Sequence, residues 1–177
     1  MGNLSAPVTH PGTSTCHAGA DGFTLIELLT TVSIVMILFM LAFPPMANLI
    51  LTQHVRAGAS DLHTALLFTR SEALKRAANV EMVPVSNNWK NGWNIQLGDG
   101  TVLRSRAALN SRLASMPVDD GTKIVYRADG RVNAAPPTIV VYASSNSQVA
   151  ARCVFVDLSG RPSLIVDTDN NASNGCN

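Results

Sequence analysis

Gly22-Phe23-Thr24-Leu25-Ile26-Glu27 opens an apolar run that continues to Phe43 with Glu27 as its one charge. From Phe23 the run is 21 residues long; as a helix it covers about 31 Å, the thickness of a hydrocarbon core. That is too long for the h-region of a cleaved secretory signal, and no small-residue cleavage site follows it. Glu27 is then the residue to explain. An acidic side chain costs about 2.5–3.5 kcal/mol at the bilayer centre and less toward the interface. A chain that keeps one there is expected to supply a cation for it. If the peptide bond after Gly22 were cut, Phe23 would carry a new amino group one helical turn from Glu27.

The hexapeptide and the apolar run behind it resemble the processing site of type IV pilins and pseudopilins. The resemblance implies that a prepilin peptidase cuts between Gly22 and Phe23 and methylates the Phe23 amine. It also implies that Glu27, at the fifth mature position, pairs with the terminal amine of a neighbouring subunit during assembly. The plain alternative is a signal anchor with an isolated glutamate. The expected organisation is a cleaved leader over 1–22, a transmembrane and assembly half of a stem helix over 23–51, an amphipathic half over 52–79, and a periplasmic β domain over 80–177. The implied location is the bacterial inner membrane, crossed once, with later incorporation into a pilus or pseudopilus. The leader carries His10, His17 and Asp21 but no Lys or Arg, whereas leaders of this family are short and basic. The positive-inside rule therefore does not select the orientation, and the departure points either to inefficient processing or to a start downstream of Met1.

Pro44-Pro45 closes the apolar run. Proline removes a backbone donor and clashes with the preceding turn, so a kink or the end of the helix is expected. Pro44 is the twenty-second mature residue, where type IV pilins carry a helix-bending proline. Beyond it Val55, Ala59, Leu62, Leu66, Thr69 and Ala73 repeat at alternating spacings of four and three, one face of an amphipathic helix to about Ala78. The segment Arg70-Ser71-Glu72-Ala73, followed by Lys75-Arg76, resembles the junction between stem and sheet in the GspH/FimT group; read plainly, it is a solvated helical face with local charge pairs.

After Asn79 the composition turns β-branched. Strands are expected over 80–85, with Pro84 confining the strand to an edge or cutting it off, then over 93–97 and 101–104 around the hairpin signal Gly98-Asp99-Gly100. Further strands are expected over 122–127, 138–143, 151–157 and 162–166. Asn91-Gly92-Trp93 matches the family's glycine-tryptophan opening of a strand. Residues 107–114 read as a short helix or a loop. One long helix followed by six or seven strands predicts an α+β fold, an antiparallel sheet lying on the second half of the stem; this is also the pilin-like fold the resemblance implies.

The chain has 13 basic and 12 acidic residues, short of the bias of a dedicated nucleic-acid binder. About 125 residues outside leader and membrane segment suffice for one compact domain. Cys16 falls in the leader. Cys153 and Cys176 remain; in an oxidising compartment they are expected to form a disulfide, the alternative being two free thiols. Two cysteines far apart with no companion histidine do not make a zinc set.

No nucleophile elbow, Walker loop, dinucleotide fingerprint or zinc-protease helix occurs. His54 and His63 lack ligand spacing, Asp119-Asp120-Gly121 reads as a turn, and neither an enzyme nor a cofactor is expected. Asp167, Asp169 and Asn171 occupy positions 1, 3 and 5 of a calcium loop. Ala172 stands where such a loop needs glycine, however, and the bidentate glutamate is missing, so the default is a polar loop with no metal.

Ser159-Gly160-Arg161-Pro162-Ser163 resembles the glycine-arginine-x-arginine turn that FimT-like minor pilins use to bind DNA, with Ser163 in place of the second arginine. Gly160, Arg161 and Arg152, helped by Arg104, Arg106 and Arg112, are therefore candidates for contact with double-stranded DNA, against a plain β-turn with an exposed arginine. The partners implied are other pilins along the N-terminal helix, the prepilin peptidase and the inner membrane. The function implied is that of a minor pilin or pseudopilin of a type IV pilus or of type II protein secretion, with a DNA receptor for transformation as the alternative.

Overall fold

A computed structural model of the chain describes residues 22–116, 122–169, 171 and 176, apart from the side chains of residues 41–45. The leader up to residue 21, with Cys16, and the Asp119-Asp120-Gly121 turn lie outside the described residues, as does the side chain of Pro44. The chain divides into two compact units, Met1–Leu41 and Ala42–Asn177. Among the described residues one α-helix, α1 (Leu25–Arg76), is followed by eight strands, with two short 3-10 turns between the first two: β1 (Val80–Pro84), β2 (Trp93–Leu97), β3 (Val102–Arg106), β4 (Leu113–Met116), β5 (Ile124–Tyr126), β6 (Ile139–Ala143), β7 (Arg152–Val156) and β8 (Pro162–Val166). The helical assignment runs unbroken through Pro44-Pro45, so the backbone does not leave the helix at the prolines.

Within the second unit, the apolar stripe is the buried face of α1. Val55, Ala59, Leu62, Leu66, Thr69 and Ala73 are all fully buried, and Leu51 extends the face by one turn. Each buried Val or Leu contributes about 1.5–3 kcal/mol. Thr69 belongs in the stripe because its hydroxyl donates to the Ala65 carbonyl at 2.7 Å and leaves no orphaned polar group.

The strands form two antiparallel sheets of four, ordered β3-β2-β1-β5 and β4-β6-β7-β8. Alternation sends Val80 and Met82 of β1, Trp93 and Ile95 of β2, and Ile124 and Tyr126 of β5 into the core. The same core takes Leu113, Ile139, Val141, Val154 and Val156 from the second sheet, and the stripe of α1.

The single sheet expected from the sequence is thus two. The strand that the pattern misses is β4, which pairs along its length with β6. Its buried residues are Leu113 and a serine, Ser115, so no apolar alternation marks it. Pro84 ends β1, which lies inside its sheet between β2 and β5; the proline cuts the strand off and does not consign it to an edge. The glycine-tryptophan pair has a steric reason. Gly92 has φ +97°, and a Cβ there would collide with the Arg106 carbonyl oxygen, while Trp93 is buried beside it.

The C-terminus of α1 makes a two-bond cap. The Ala78 N–H donates to the Ala73 carbonyl and the Ala77 N–H to the Leu74 carbonyl, both at 3.3 Å, with Ala77 left-handed at φ +49°. That conformation costs a non-glycine residue about 1–2 kcal/mol, part of which the greater freedom of an unfolded glycine would cancel. Ala77→Gly is expected to stabilise the chain by about 0.5–1 kcal/mol, seen as a higher urea midpoint at unchanged slope.

Candidate functional site

In the first unit, Gly22, Phe23 and Thr24 precede the helix in non-helical backbone, so the Gly22–Phe23 peptide bond lies outside α1. Thr24 starts the helix. The Glu27 N–H donates to Thr24 Oγ1 at 3.2 Å, and the Leu28 N–H donates to the Thr24 carbonyl at 3.1 Å. Thr24-Leu25-Ile26-Glu27 has the threonine-to-glutamate spacing of a capping box, and a carboxylate in the first turn faces the positive end of the helix dipole. The Glu27 backbone N–H thus completes the Thr24 cap, and its carboxylate stands in the first turn of α1. The large apolar side chains of this unit are exposed, from 44% at Val32 to 80% at Phe23. Among the described residues no helix is long and apolar enough to cross a membrane. The apolar stretch with described side chains stops at Met40, short of the roughly 20 residues a span takes.

In the second unit the Gly160 turn is built against a second turn. Between β7 and β8, the Gly160 N–H donates to the Asp157 carbonyl at 2.9 Å. Asp157 Oδ1 accepts from the Ser159 hydroxyl at 2.6 Å and from the Arg161 N–H at 2.9 Å. These bonds, the Ser159 hydroxyl first, hold the Asp157 carboxyl below its usual range. Their support is complete above the ordinary aspartate pKa and is lost as pH falls through the lowered one. Gly160 has φ +79°, and a Cβ on it would collide with the Gly130 carbonyl oxygen and approach Arg131 Cα to 3.2 Å. Gly130 belongs to the turn after β5, closed by its N–H to the Arg127 carbonyl at 2.8 Å.

Arg70 of α1 ties the two turns together. Its Nε donates to the Gly130 carbonyl at 3.1 Å and its Nη2 to the Ser159 carbonyl at 3.2 Å. One guanidinium thus pins one turn from each sheet to the helix. Arg70 and Gly130 are the site residues that sequence reasoning missed. The Arg70-Ser71-Glu72-Ala73 motif was visible, but its partners are 60 and 89 residues away in sequence. Glu72 of the same motif is buried and receives Arg76 Nε at 2.7 Å, which lowers its pKa.

The cations about Arg161 are consequently not the expected ones. Arg127 and Arg131 belong to the second turn and Arg70 bonds to both turns, with Asp129, 3.8 Å from Arg127, and Asp157 as the acids. Arg152 pairs with Val166 while Pro162, next to Arg161, pairs with Val156. Arg152 and Arg161 thus lie at opposite ends of the β7–β8 hairpin. Arg104 sits over the Phe68 ring at 5.4 Å, and Arg106 pairs with Asp61 at 2.7 Å. Arg112 precedes β4 and is exposed.

Cys153 and Cys176 are joined as a disulfide, Cα atoms 6.2 Å apart, on an outer-face cluster with Val140, Ala151 and Tyr142. Among the described residues no cluster of His, Cys, Asp and Glu suited to a metal is found; His54 and His63 are half-buried on α1.

A helix whose amphipathic half is wrapped by antiparallel sheets, entered from a capped apolar stretch, is the build of a pilin-like subunit. Residues 58–160 match the family described as Type II transport protein GspH, more than half of the sequence, and the chain belongs to that family. Among solved structures the chain is similar to the type IV minor pilin FimU of Pseudomonas aeruginosa. One crystal form aligns at 17% identity and a TM-score of 0.57, covering 71% of this chain and 96% of that one. A second form aligns at 18% identity and 0.51, covering 62% and 91%. The minor pseudopilin EpsH from the Type 2 Secretion System of Vibrio cholerae aligns at 13% identity and 0.49, covering 64% and 97%. At such identities the likeness to FimU is one of fold. No curated protein matches the chain significantly.

Proposed function

We propose that the chain is a minor pilin or pseudopilin. A prepilin peptidase cuts it between Gly22 and Phe23, the segment 23–51 anchors it in the bacterial inner membrane, and it is then assembled with other pilins into a type IV pilus or a type II secretion pseudopilus. Its work is assembly and not catalysis. The observation that carries this reading is the capped apolar helix of the first unit, with exposed large side chains and a single carboxylate in its first turn. Such a surface calls for lipid before assembly and for other apolar helices after it. Mass spectrometry of the chain from cells with an active peptidase is expected to find N-methyl-Phe23 at the terminus; a chain that retains residues 1–22 there refutes the reading.

Double-stranded DNA is a second candidate partner, favoured by the packing of the turn that carries Arg127 and Arg131 against the Gly160-Arg161 turn. Exposed phosphate contacts are additive and salt-sensitive. Arg161→Ala is expected to weaken duplex binding uniformly across sequences and to lower the salt slope by about one, measured by fluorescence anisotropy over a salt series. Absent or salt-independent binding removes DNA as a partner.

A further inference from the structure

One end of the second sheet carries cations that the fold leaves without acids. Asn146, in the β6–β7 loop, donates from Nδ2 to Asn48 Oδ1 of α1 at 2.7 Å, which holds this end of the sheet to the helix. Asn48, Thr52 and Arg56 follow one another at spacings of four, on one face of α1. Arg152 opens β7, opposite Val141 and Val166. Alternation puts it on the inner face with Val154 and Val156, half-buried at the last inward position before the loop. Partial burial, and then the charge of Arg56, lower the Arg152 pKa; a guanidinium still keeps its proton, so two positive charges confront each other. Neither has an ion pair or a hydrogen bond among the described residues. The acid nearest in register, Asp167, is 2% exposed and falls on the outer face with Ala151, whose carbonyl accepts its N–H at 3.0 Å. Arg112 adds a third cation at this end, its carbonyl accepting the Ser144 N–H at 3.0 Å and the Ser144 hydroxyl at 2.9 Å. Like charges brought together repel, and an anion seated between them would remove that cost.

Position identifies the anion. Met46, Leu49 and Ile50 of α1 are exposed apolar side chains, and Arg56 stands about 9 Å beyond Ile50 along the helix. The headgroup layer of a bilayer is about 5–8 Å deep on each side, a gap that a long cationic side chain spans by snorkelling. We propose that Arg56 and Arg152 clamp the phosphate diester of an anionic phospholipid headgroup, seating the β domain on the membrane surface by this end of the second sheet. The inference rests on the reading of the segment 23–51 as a membrane anchor. Guanidinium groups suit the ligand because their paired N–H groups match two phosphate oxygens at once. An acidic side chain of a neighbouring subunit fits by charge alone; the exposed apolar side chains that directly precede the pair favour lipid.

Native mass spectrometry of the full chain, released from neutral detergent micelles doped with equal amounts of phosphatidylglycerol and phosphatidylcholine, tests this. Each arginine near an anionic headgroup contributes about fivefold in affinity, so one phosphatidylglycerol per chain is expected to be retained, with a preference of about twentyfold over phosphatidylcholine. Arg56→Gln and Arg152→Gln are each expected to lower that preference about fivefold. Lys75→Gln, in the last turn of α1, is expected to leave it unchanged. Arg56 is exposed, so its variant decides the matter even if Arg152→Gln fails to fold. Equal retention of the two lipids, or a preference that the arginine variants keep, overturns the proposal. Displacement of the lipid by an equal concentration of inorganic phosphate marks a general anion site and overturns it as well. Variants that keep the lipid preference but drop out of filaments assign the pair to an acidic neighbour instead. A chain recovered in the soluble fraction of cells refutes the anchor itself, a failure distinct from equal lipid retention by a membrane-borne chain.

Discussion

Glu27→Leu is expected to cut incorporation into filaments at least about tenfold, read as the ratio of chain in sheared filaments to chain in the membrane fraction. In the assembly reading the Glu27 carboxylate meets the freed amine of a neighbouring Phe23 in an apolar setting. Deleting one partner of such a pair strands the other charge, at a cost of about 3–5 kcal/mol. The structure adds a complication, because the Glu27 carboxylate also lies in the first turn of α1, and losing its interaction with the positive end of the helix dipole costs about 0.3–1 kcal/mol by itself. Glu27→Gln removes the charge while keeping a polar side chain of the same length. The amine pairing predicts that glutamine fails nearly as badly as leucine; a glutamine variant that assembles like the unaltered chain would refute the pairing.

Gly160→Ala is expected to destabilise the domain by about 2–4 kcal/mol, seen as a lower urea midpoint. The alanine would sit at φ +79°, and its Cβ would strike the Gly130 carbonyl oxygen, a backbone atom that cannot rotate aside. The displaced carbonyl also accepts from Arg70 Nε, so the clamp between helix and turns loosens with it. Arg161→Ala should leave the midpoint within about 0.5 kcal/mol, as exposed side chains usually do. The adjacent Gly160 and Arg161 thus answer different questions. The glycine is required by the stacking of two turns whether or not DNA is a ligand, and loss of DNA binding in a Gly160 variant would say nothing about recognition. The turn uses the Arg161 backbone N–H and the Arg70 clamp uses neighbouring carbonyls, so replacing the exposed Arg161 side chain tests its charge.

Much of the fold is legible in local pattern. The four-and-three spacing from Val55 to Ala73 is the buried face of α1, residue for residue, because a helix repeats every 3.6 residues and the core demands an uninterrupted stripe. Strands β2 and β8 fall where β-branched runs and turn residues place them, and the glycine-tryptophan pair marks the entry to β2. The fourth strand is illegible because a serine occupies one of its inward positions, and its pairing with β6 is a long-range choice. The division into two sheets is equally invisible, since it depends on which strands find one another across a common helix.

The candidate sites divide along the same line. Gly22-Phe23-Thr24-Leu25-Ile26-Glu27 is readable as a motif because its residues are contiguous in sequence. The arginines about Arg161 were not, since residue spacing says nothing about two turns that meet through a glycine and a carbonyl. By itself the sequence determined the apolar helix, the amphipathic stripe and the α+β class, each a matter of period and composition. Tertiary structure alone decided that Arg70 and not Arg152 joins the Gly160 turn, and that Asp167 is shut away from water. Partners and burial belong to distant segments brought together by packing, and no local pattern encodes them.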